Sequence, residues 1–379
     1  MSRSLSFAFL LFVLSTIVCL GQENDSTLTV LFAGDIMGHE GQITSAYDKN
    51  TNTYSYDNVF KYIKPVISEA EIAIGNLEVT LAGPPYTGYP AFCSPDELAS
   101  ACKRAGFDVL VNANNHSADK GPRGIRRTIK VLDSLNIPHT GTFVSNAARD
   151  TLTPLIVEKK GIRIALLNYT YGTNGIVVPP PAIVSYIDTN RIATDIRKAK
   201  TQKSDLVVVF IHWGIEYDSL PSRDQKRTAA SIFRNGADII IGSHPHCLQP
   251  MVSNITPDGL NKPLVWSMGN FVSYQRQRRS DGGTMVRLTV TKSGGKTFVK
   301  DAGYILTWVY VPNENGKRQF YILPCSEIED NPTFFTNSFN YQEMKLFISD
   351  SRRLLNRNNR GFNELIKAGD TWIPFQPVK

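Results

Sequence analysis

Cysteine is scarce in this chain, five among 379 residues, and no two of them stand in a CxxC spacing. A disulfide-stapled scaffold is thereby excluded, because such folds space their cysteines densely and in pairs. Cys19 falls in an apolar N-terminal run, which leaves Cys93, Cys102, Cys247 and Cys325. Cys93 and Cys102 are the nearest in sequence, yet burial as ordinary thiols is expected for each. Runs of lysine and arginine interleaved with aromatics are missing as well, so nucleic acid is not an expected partner. The formal net charge of +7 is spread along the chain. It permits an anionic substrate or surface without requiring one. Beyond the N-terminus no segment is apolar enough to span a bilayer, and neither internal repeats nor low-complexity stretches occur. With 42% hydrophobic and 20% charged residues the composition is globular. The length suits one large domain or two ordinary ones at ~100–200 residues each.

The one long apolar run lies in "MSRSLSFAFLLFVLSTIVCLGQEN". Arg3 supplies a short positive region, Leu5 to Leu20 are apolar, and polar residues follow at once, which is the layout of a secretory signal peptide. Cleavage before Gln22 would place the small residues Cys19 and Gly21 at the minus-three and minus-one positions, making 1–21 the leader. Bulky Ile17 and Val18 argue against a lipidated Cys19. An uncleaved anchor is the other alternative, although the run falls slightly short of the ~20 residues a spanning helix needs. Export to the periplasm, envelope or exterior is the expectation.

From there, apolar runs alternate with amphipathic stretches. "TLTVLFA" (27–33), "EIAIGN" (71–76), "FDVLVNA" (107–113), "RIALLNYT" (163–170), "LVVVFIH" (206–212), "DIIIG" (238–242) and "PLVWSMG" (263–269) read as strands covered on both faces, because they are β-branched and do not alternate with polar residues. Between them, "SPDELASACKRAG" reads as a helix capped by Ser94, with Pro95 at its first position and Glu97 closing a capping box. "SRDQKRTAASIFRNG" opens at Ser222 and stops at Gly236 in the same way, and "RIATDIRKAKTQKSD" is a surface helix. This order means α/β layering. After Gly283 the pattern alternates like antiparallel strands around a Ser-Gly-Gly turn at 293–295, and "NYQEMKLFISDSRRLLNRNN" reads as an amphipathic helix. Residues 283–379 are thus closing strands and a C-terminal helical extension of the same domain.

Polar residues gather where the strands end. Asp35 follows the first; Asn76 and Glu78 the second; Asn112, Asn114, Asn115, His116 and Asp119 the third. His212 and Glu216, then His244 and His246, then Asn270 follow later strands. Layered α/β proteins build sites at the carboxyl ends of strands. Of only six histidines, four stand at these ends, His39 lies just beyond Asp35, and His139 alone stands apart. Each residue taken singly has a plainer reading: a hydrogen-bonded core histidine at 212, a turn aspartate at 35, a turn pair at 114–115, packing for Trp213 and Tyr217. Their coincidence on one sheet edge favours a site. Imidazole, carboxylate and amide oxygen form a ligand set for Zn, Mn or Fe. Such a set can hold one or two divalent ions, with a histidine placed to protonate a leaving group.

The blocks "AGDIMGH", "GNLEVTL", "NANNHSADKG", "HWGIEY", "GSHPHCLQP" and "SMGNFV", in this order over about 28–282, resemble the CapA family of bacterial capsule and poly-γ-glutamate synthesis proteins, relatives of the calcineurin-like metallophosphoesterases. The resemblance implies a four-layer αββα sandwich with a short C-terminal β/α appendage and a metal centre above two facing sheets. It implies Asp35, Glu78, Asn115, His212, His244 and His246 as ligands and His116 as the acid. His39, Asn76, Asn114, Asp119, Glu216, Asn270 and Arg223 are expected to support them or to meet substrate. Two departures stand out: Met37 occupies a position where phosphoesterases have a ligating histidine, and Glu78 replaces a bridging aspartate. The first metal position is then weak or absent, or His39 substitutes.

The expected function is action on an anionic envelope polymer, as hydrolase, transferase or partner in a membrane export or ligase complex. Arg223 and Arg227, with Lys120 and Arg123, could guide a polyanion. A secreted phosphoesterase and a non-catalytic export scaffold are the alternatives.

Overall fold

In the strand Leu206–His212, Leu206, Val208 and Phe210 belong to one buried cluster and Val207, Val209 and Ile211 to another. Strand side chains alternate between faces, so both faces of this strand are covered, as its unbroken apolar run requires. A computed structural model describes residues 25–255, 259–369 and 371–376; the expected leader, 1–21, lies outside them.

In chain order the main strands are β1 (Ser26–Ile36), β2 (Ile72–Leu77), β3 (Val109–Val111), β4 (Leu155–Lys159), β5 (Ile162–Thr170), β6 (Leu206–His212) and β7 (Ile239–Ser243). They continue with β8 (Met251–Ile255), β9 (Asn261–Val265), β10 (Asn270–Val272), β11 (Gly282–Ser293), β12 (Lys296–Tyr310), β13 (Tyr321–Pro324), β14 (Asn363–Ala368) and β15 (Thr371–Pro374). The main helices are α1 (Glu40–Ala46), α2 (Glu97–Ala105), α3 (Gly121–Ser134), α4 (Thr189–Thr201), α5 (Arg223–Arg234) and α6 (Ser338–Asn358).

One sheet runs β15-β14-β12-β11-β1-β2-β3 and ends on a two-residue strand, His139–Thr140, with β10 beside β1 and β13 beside β12. The other runs β8-β9-β7-β6-β5-β4. β1 to β3 are parallel, as are β5, β6, β7 and β9. Between the sheets, Phe32, Ile74 and Val111 meet the cluster of Leu166, Phe210 and Ile241. Outside the first sheet, Leu98 and Cys102 of α2 cover Leu31, Ala73 and Leu110. Outside the second, Ile192 and Ile196 of α4 and Ala229 and Ile232 of α5 cover Val207, Val209 and Ile240. The layers therefore run helix, sheet, sheet, helix.

The closing strands are built into this frame. β11 pairs antiparallel with β1 from Ser26↔Lys292 to Ala33↔Met285, and β12 returns after Gly294 and Gly295. α6 buries Met344, Phe347 and Leu355 in the inner cluster. Local signals vary in their success. α5 has the full capping box, Ser222 with Gln225. α2, by contrast, starts at Glu97 with Asp96 at the cap position and no side-chain cap. Ser94 lies outside the helix, its N–H bonded to the Thr80 carbonyl, which holds 94 in the loop after β2, and its buried hydroxyl is without a partner. Cys93, Cys102, Cys247 and Cys325 are free, buried thiols. Among the described residues no helix is long and apolar enough to cross a membrane.

Candidate metal centre

β1 sends Leu28, Val30 and Phe32 to the inner cluster and Leu31 and Ala33 to the outer one. Unbroken alternation would turn Asp35 outward. The register against β2 slips at Gly34, however: Ala33 pairs with Gly75 and Asp35 with Asn76. One extra residue on one strand is a β-bulge, which re-aims the side chains beyond it. Ile36 then joins the outer cluster, and Asp35 faces inward, where Asn76 donates to it at 2.8 Å. Only glycine fits at 34, since an added Cβ would lie 2.1 Å from the Gly269 carbonyl oxygen. In β6 the inward parity of 206, 208 and 210 carries on to His212.

These ends bring six ligand-type side chains together. Single atoms of Asp35, Glu78 and His212 lie within 4.8 Å of one another, as do those of Glu78, His244 and His246, so Glu78 is common to two triads. Asn115 joins them, its Oδ1 2.8 Å from His212 Nε2. His246 Nδ1 stands 3.0 Å from Asn270 Oδ1 and 3.3 Å from Asp35 Oδ2. The rings of His212 and His244 are 4.7 Å apart. Glu78 is wholly buried, and no neighbouring donor pairs with either carboxylate oxygen, although its own O–H, when protonated, can donate to Asp35. Its nearest cationic candidates are His212 Nε2 at 3.5 Å and His246 Nε2 at 3.9 Å. The buried Nδ1 of His244 is also without a partner.

Burial, with the charge of Asp35 beside it, pushes the Glu78 carboxyl well above its ordinary range. For Asp35, burial acts upward too, but the hydrogen bond from His246, the electrostatic pull of the His212 and His246 rings, and the Asn76 amide hold it below its usual value. Burial and neighbouring His244 hold His212 well below the ordinary histidine range. Burial, then His246, holds His244 down to about 3. Both imidazoles are therefore neutral free bases at pH 7, the form that ligates metals. Ser243 Oγ and Asn76 Nδ2 approach His212 Nδ1 at 2.9 and 3.3 Å. A Ser243 hydroxyl donating to Nδ1 leaves Nε2–H to donate to Asn115 Oδ1, the proton a metal ion at Nε2 would displace.

His116 lies beside this cluster in a loop folded by Asn114. Asn114 Oδ1 accepts from the His116 N–H at 3.1 Å, and its Nδ2 donates to the Leu77 carbonyl at 2.8 Å and to Asn76 Oδ1 at 3.2 Å. His116 Nδ1 is 2.7 Å from Asp119 Oδ2, which also accepts from the Phe92 N–H at 2.7 Å. The Phe92 ring stands edge-on between His116 and His39.

Several expected residues stay at the margin. Met37 is buried in the outer cluster, so its thioether turns away from the centre. His39 does not take its place: its Nδ1 accepts from the Tyr274 N–H at 3.2 Å, and it belongs to neither triad. Burial holds its ring down to about 4. Glu216 is exposed at the rim, close enough to raise Glu78 electrostatically. Arg223, the first residue of α5, is exposed and makes no contact with the cluster, and Arg227 is paired with Asp224 in solvent. Asn112 is structural, accepting from the Thr142 N–H at 3.0 Å.

Sequence reasoning missed Ser243 and Tyr171. The Tyr171 ring lies 4.5 Å from His244 and stacks at 6.5 Å on His212. Burial, then the charges of Glu216 and Glu78, pushes its hydroxyl up to about 12. Ser243 had a signal, its place directly before His244. Tyr171, in the loop after β5, had none.

Residues 29–275 match the family described as bacterial capsule synthesis protein PGA_cap. The chain belongs to that family. The PGA_cap span holds every side chain of the cluster, from Asp35 to Asn270. The capsule biosynthesis protein CapA of Bacillus anthracis is 30% identical over 286 residues, 72% of this chain and 66% of that protein. The PGA biosynthesis protein CapA of Bacillus subtilis (strain 168) is 29% identical over 296 residues, 73% of this chain and 71% of that protein. The chain thus spans about two thirds of the length of the first of these relatives. A solved calcineurin-like phosphoesterase, YfkN from Bacillus subtilis, superposes with a TM-score of 0.44 at 14% identity, covering 88% of this chain and 99% of that one.

Proposed function

We propose that this chain is an exported PGA_cap protein acting in the synthesis, export or attachment of an anionic envelope polymer, of the capsule or poly-γ-glutamate type, through a divalent-metal hydrolase or transferase centre. One observation carries the catalytic part: the buried, unpartnered Glu78 carboxylate is shared by two ligand triads. A buried carboxylate without donors costs several kcal/mol unless it takes up a proton or a cation meets it, and the surrounding donors suit Mn, Zn or Fe. Asp35, Glu78, Asn115, His212, His244 and His246 would hold one or two such ions. Bound there, the metal supplies Lewis-acid polarisation of a carbonyl or phosphoryl centre.

The protein's own groups do the rest. Ser243 and Asn76 fix the ring of His212, and Asn270 fixes that of His246, as outer partners of metal-binding histidines do. With Nδ1 on Asp119, His116 keeps Nε2 to carry a proton to a leaving group. The Tyr171 ring packs against those of His244 and His212. The names of the two CapA relatives support the polymer assignment, and the leader-like N-terminus supports export, beside a membrane export or ligase complex.

Metal analysis of protein purified without chelator, with anomalous diffraction at the cluster, tests the reading. Metal held by the wild type and lost in His244→Ala is expected; no metal, and none taken up on titration, overturns the catalytic part. Met37 favours a second reading, a scaffold that keeps the fold without chemistry. Unchanged polymer output in cells carrying His116→Ala with His244→Ala would select it.

A further inference from the structure

Outside the PGA_cap span, α6 brings Asp350, Arg353 and Arg357 onto one face at helical spacing. That face borders a cleft of about 390 Å³ whose opposite wall is Cys247, Leu248 and the Ser219–Leu220 loop. Arg279 closes it. Asp350 is the only carboxylate among the lining residues, and it draws in three arginines: Arg278 Nε at 2.6 Å, Arg279 Nε at 3.7 Å and Arg353 Nη1 at 3.8 Å. Three guanidinium groups thus surround one carboxylate, with Arg279 and Arg353 more than half exposed. Arg357, exposed, adds a further guanidinium to the cleft lining. Between them lie Leu220, Leu248 and Leu354, an apolar floor under a cationic rim.

The cleft is joined to the metal centre. Cys247 follows His246 directly. Ser280, next to Arg279, has its carbonyl 2.7 Å from Asn270 Nδ2, and Asn270 Oδ1 holds His246 Nδ1. Backbone conformation marks the same neighbourhood. Tyr217, His244, His246 and Arg279 all have positive φ, at 64°, 99°, 56° and 75°; the other non-glycine residues with positive φ are asparagines and lysines. Side chains of this size adopt that region at an energetic cost, which is retained where a site requires it.

We propose that this cleft is a second binding subsite, taking a segment of a flexible polycarboxylate chain and leading it past His246 to the metal centre. The assignment of chain and direction rests on the polymer reading above. Guanidinium groups pair with carboxylates in bidentate fashion, Asp350 shows these arginines already organised on one, and the leucine floor matches methylenes that inorganic phosphate lacks.

Binding of a fluorescent γ-linked glutamate oligomer to the full chain, measured by anisotropy in low salt with chelator present, tests this. Arg353→Gln with Arg357→Gln, both exposed on the helix and able to keep it, should weaken binding about tenfold or more. His244→Ala should lose metal yet still bind the oligomer, so the two readings fail separately. No binding by the wild type, unchanged binding by the arginine variant, or tighter binding of tripolyphosphate than of the oligomer would each overturn the subsite.

Discussion

Glu78→Gln should make the metal-free protein more stable at neutral pH while weakening its hold on metal. The side chain is wholly buried and no neighbouring donor pairs with it, and burial with Asp35 beside it raises its carboxyl well above the ordinary 4.5. A carboxyl raised in the folded state binds a proton that the unfolded chain releases above pH 4.5, so stability falls as pH rises from there. The loss continues until the folded group itself ionises. Between 4.5 and 7.5 it cannot exceed 3 pH units at 1.36 kcal/mol each, a ceiling of about 4 kcal/mol. Glutamine is neutral throughout and escapes this term. Urea unfolding in chelator, from pH 4.5 to 7.5, reads the difference between variant and wild type. It should widen with pH toward that ceiling, and added metal should reverse the order by stabilising only the wild type. A difference flat in pH, or a variant that loses ground as pH rises, would refute the reasoning.

Divalent metal at 100 times its Kd should raise wild-type stability by about 2.7 kcal/mol, and His212→Ala should cancel most of the accompanying rise in Tm. Gly34→Ala drives a Cβ to within 2.1 Å of a backbone carbonyl; it should cost about 1–3 kcal/mol or more in urea unfolding and lower metal uptake in whatever still folds. Ser222→Ala removes one half of the α5 capping box and should cost about 1 kcal/mol in Tm-derived stability without changing metal content.

Strands buried on two faces were legible wherever β-branched runs lacked polar alternation, and β6 begins and ends where "LVVVFIH" does. The Ser222 cap was legible because its partner, Gln225, stands three residues away. Ser94 offered the same local signal and misled, since its backbone is tied to the Thr80 carbonyl in the loop after β2 and the helix starts only at Glu97. Arg223 looked like a guide for a polyanion only because it follows the His212 block in sequence; α5 carries it to an outer surface.

By itself the sequence determined the alternation of elements and the placing of carboxylates, amides and imidazoles at strand ends, because both follow from local periodicity. Which side chains converge was decided by the tertiary structure. The bulge at Gly34 turns Asp35 inward and leaves Met37 in the outer core, and the carbonyl that leaves room there only for glycine, at Gly269, lies 235 positions along the chain. Ser243, Tyr171 and the arginines of α6 reach the centre or its border through sheet stacking and helix docking, contacts that no short window of residues encodes.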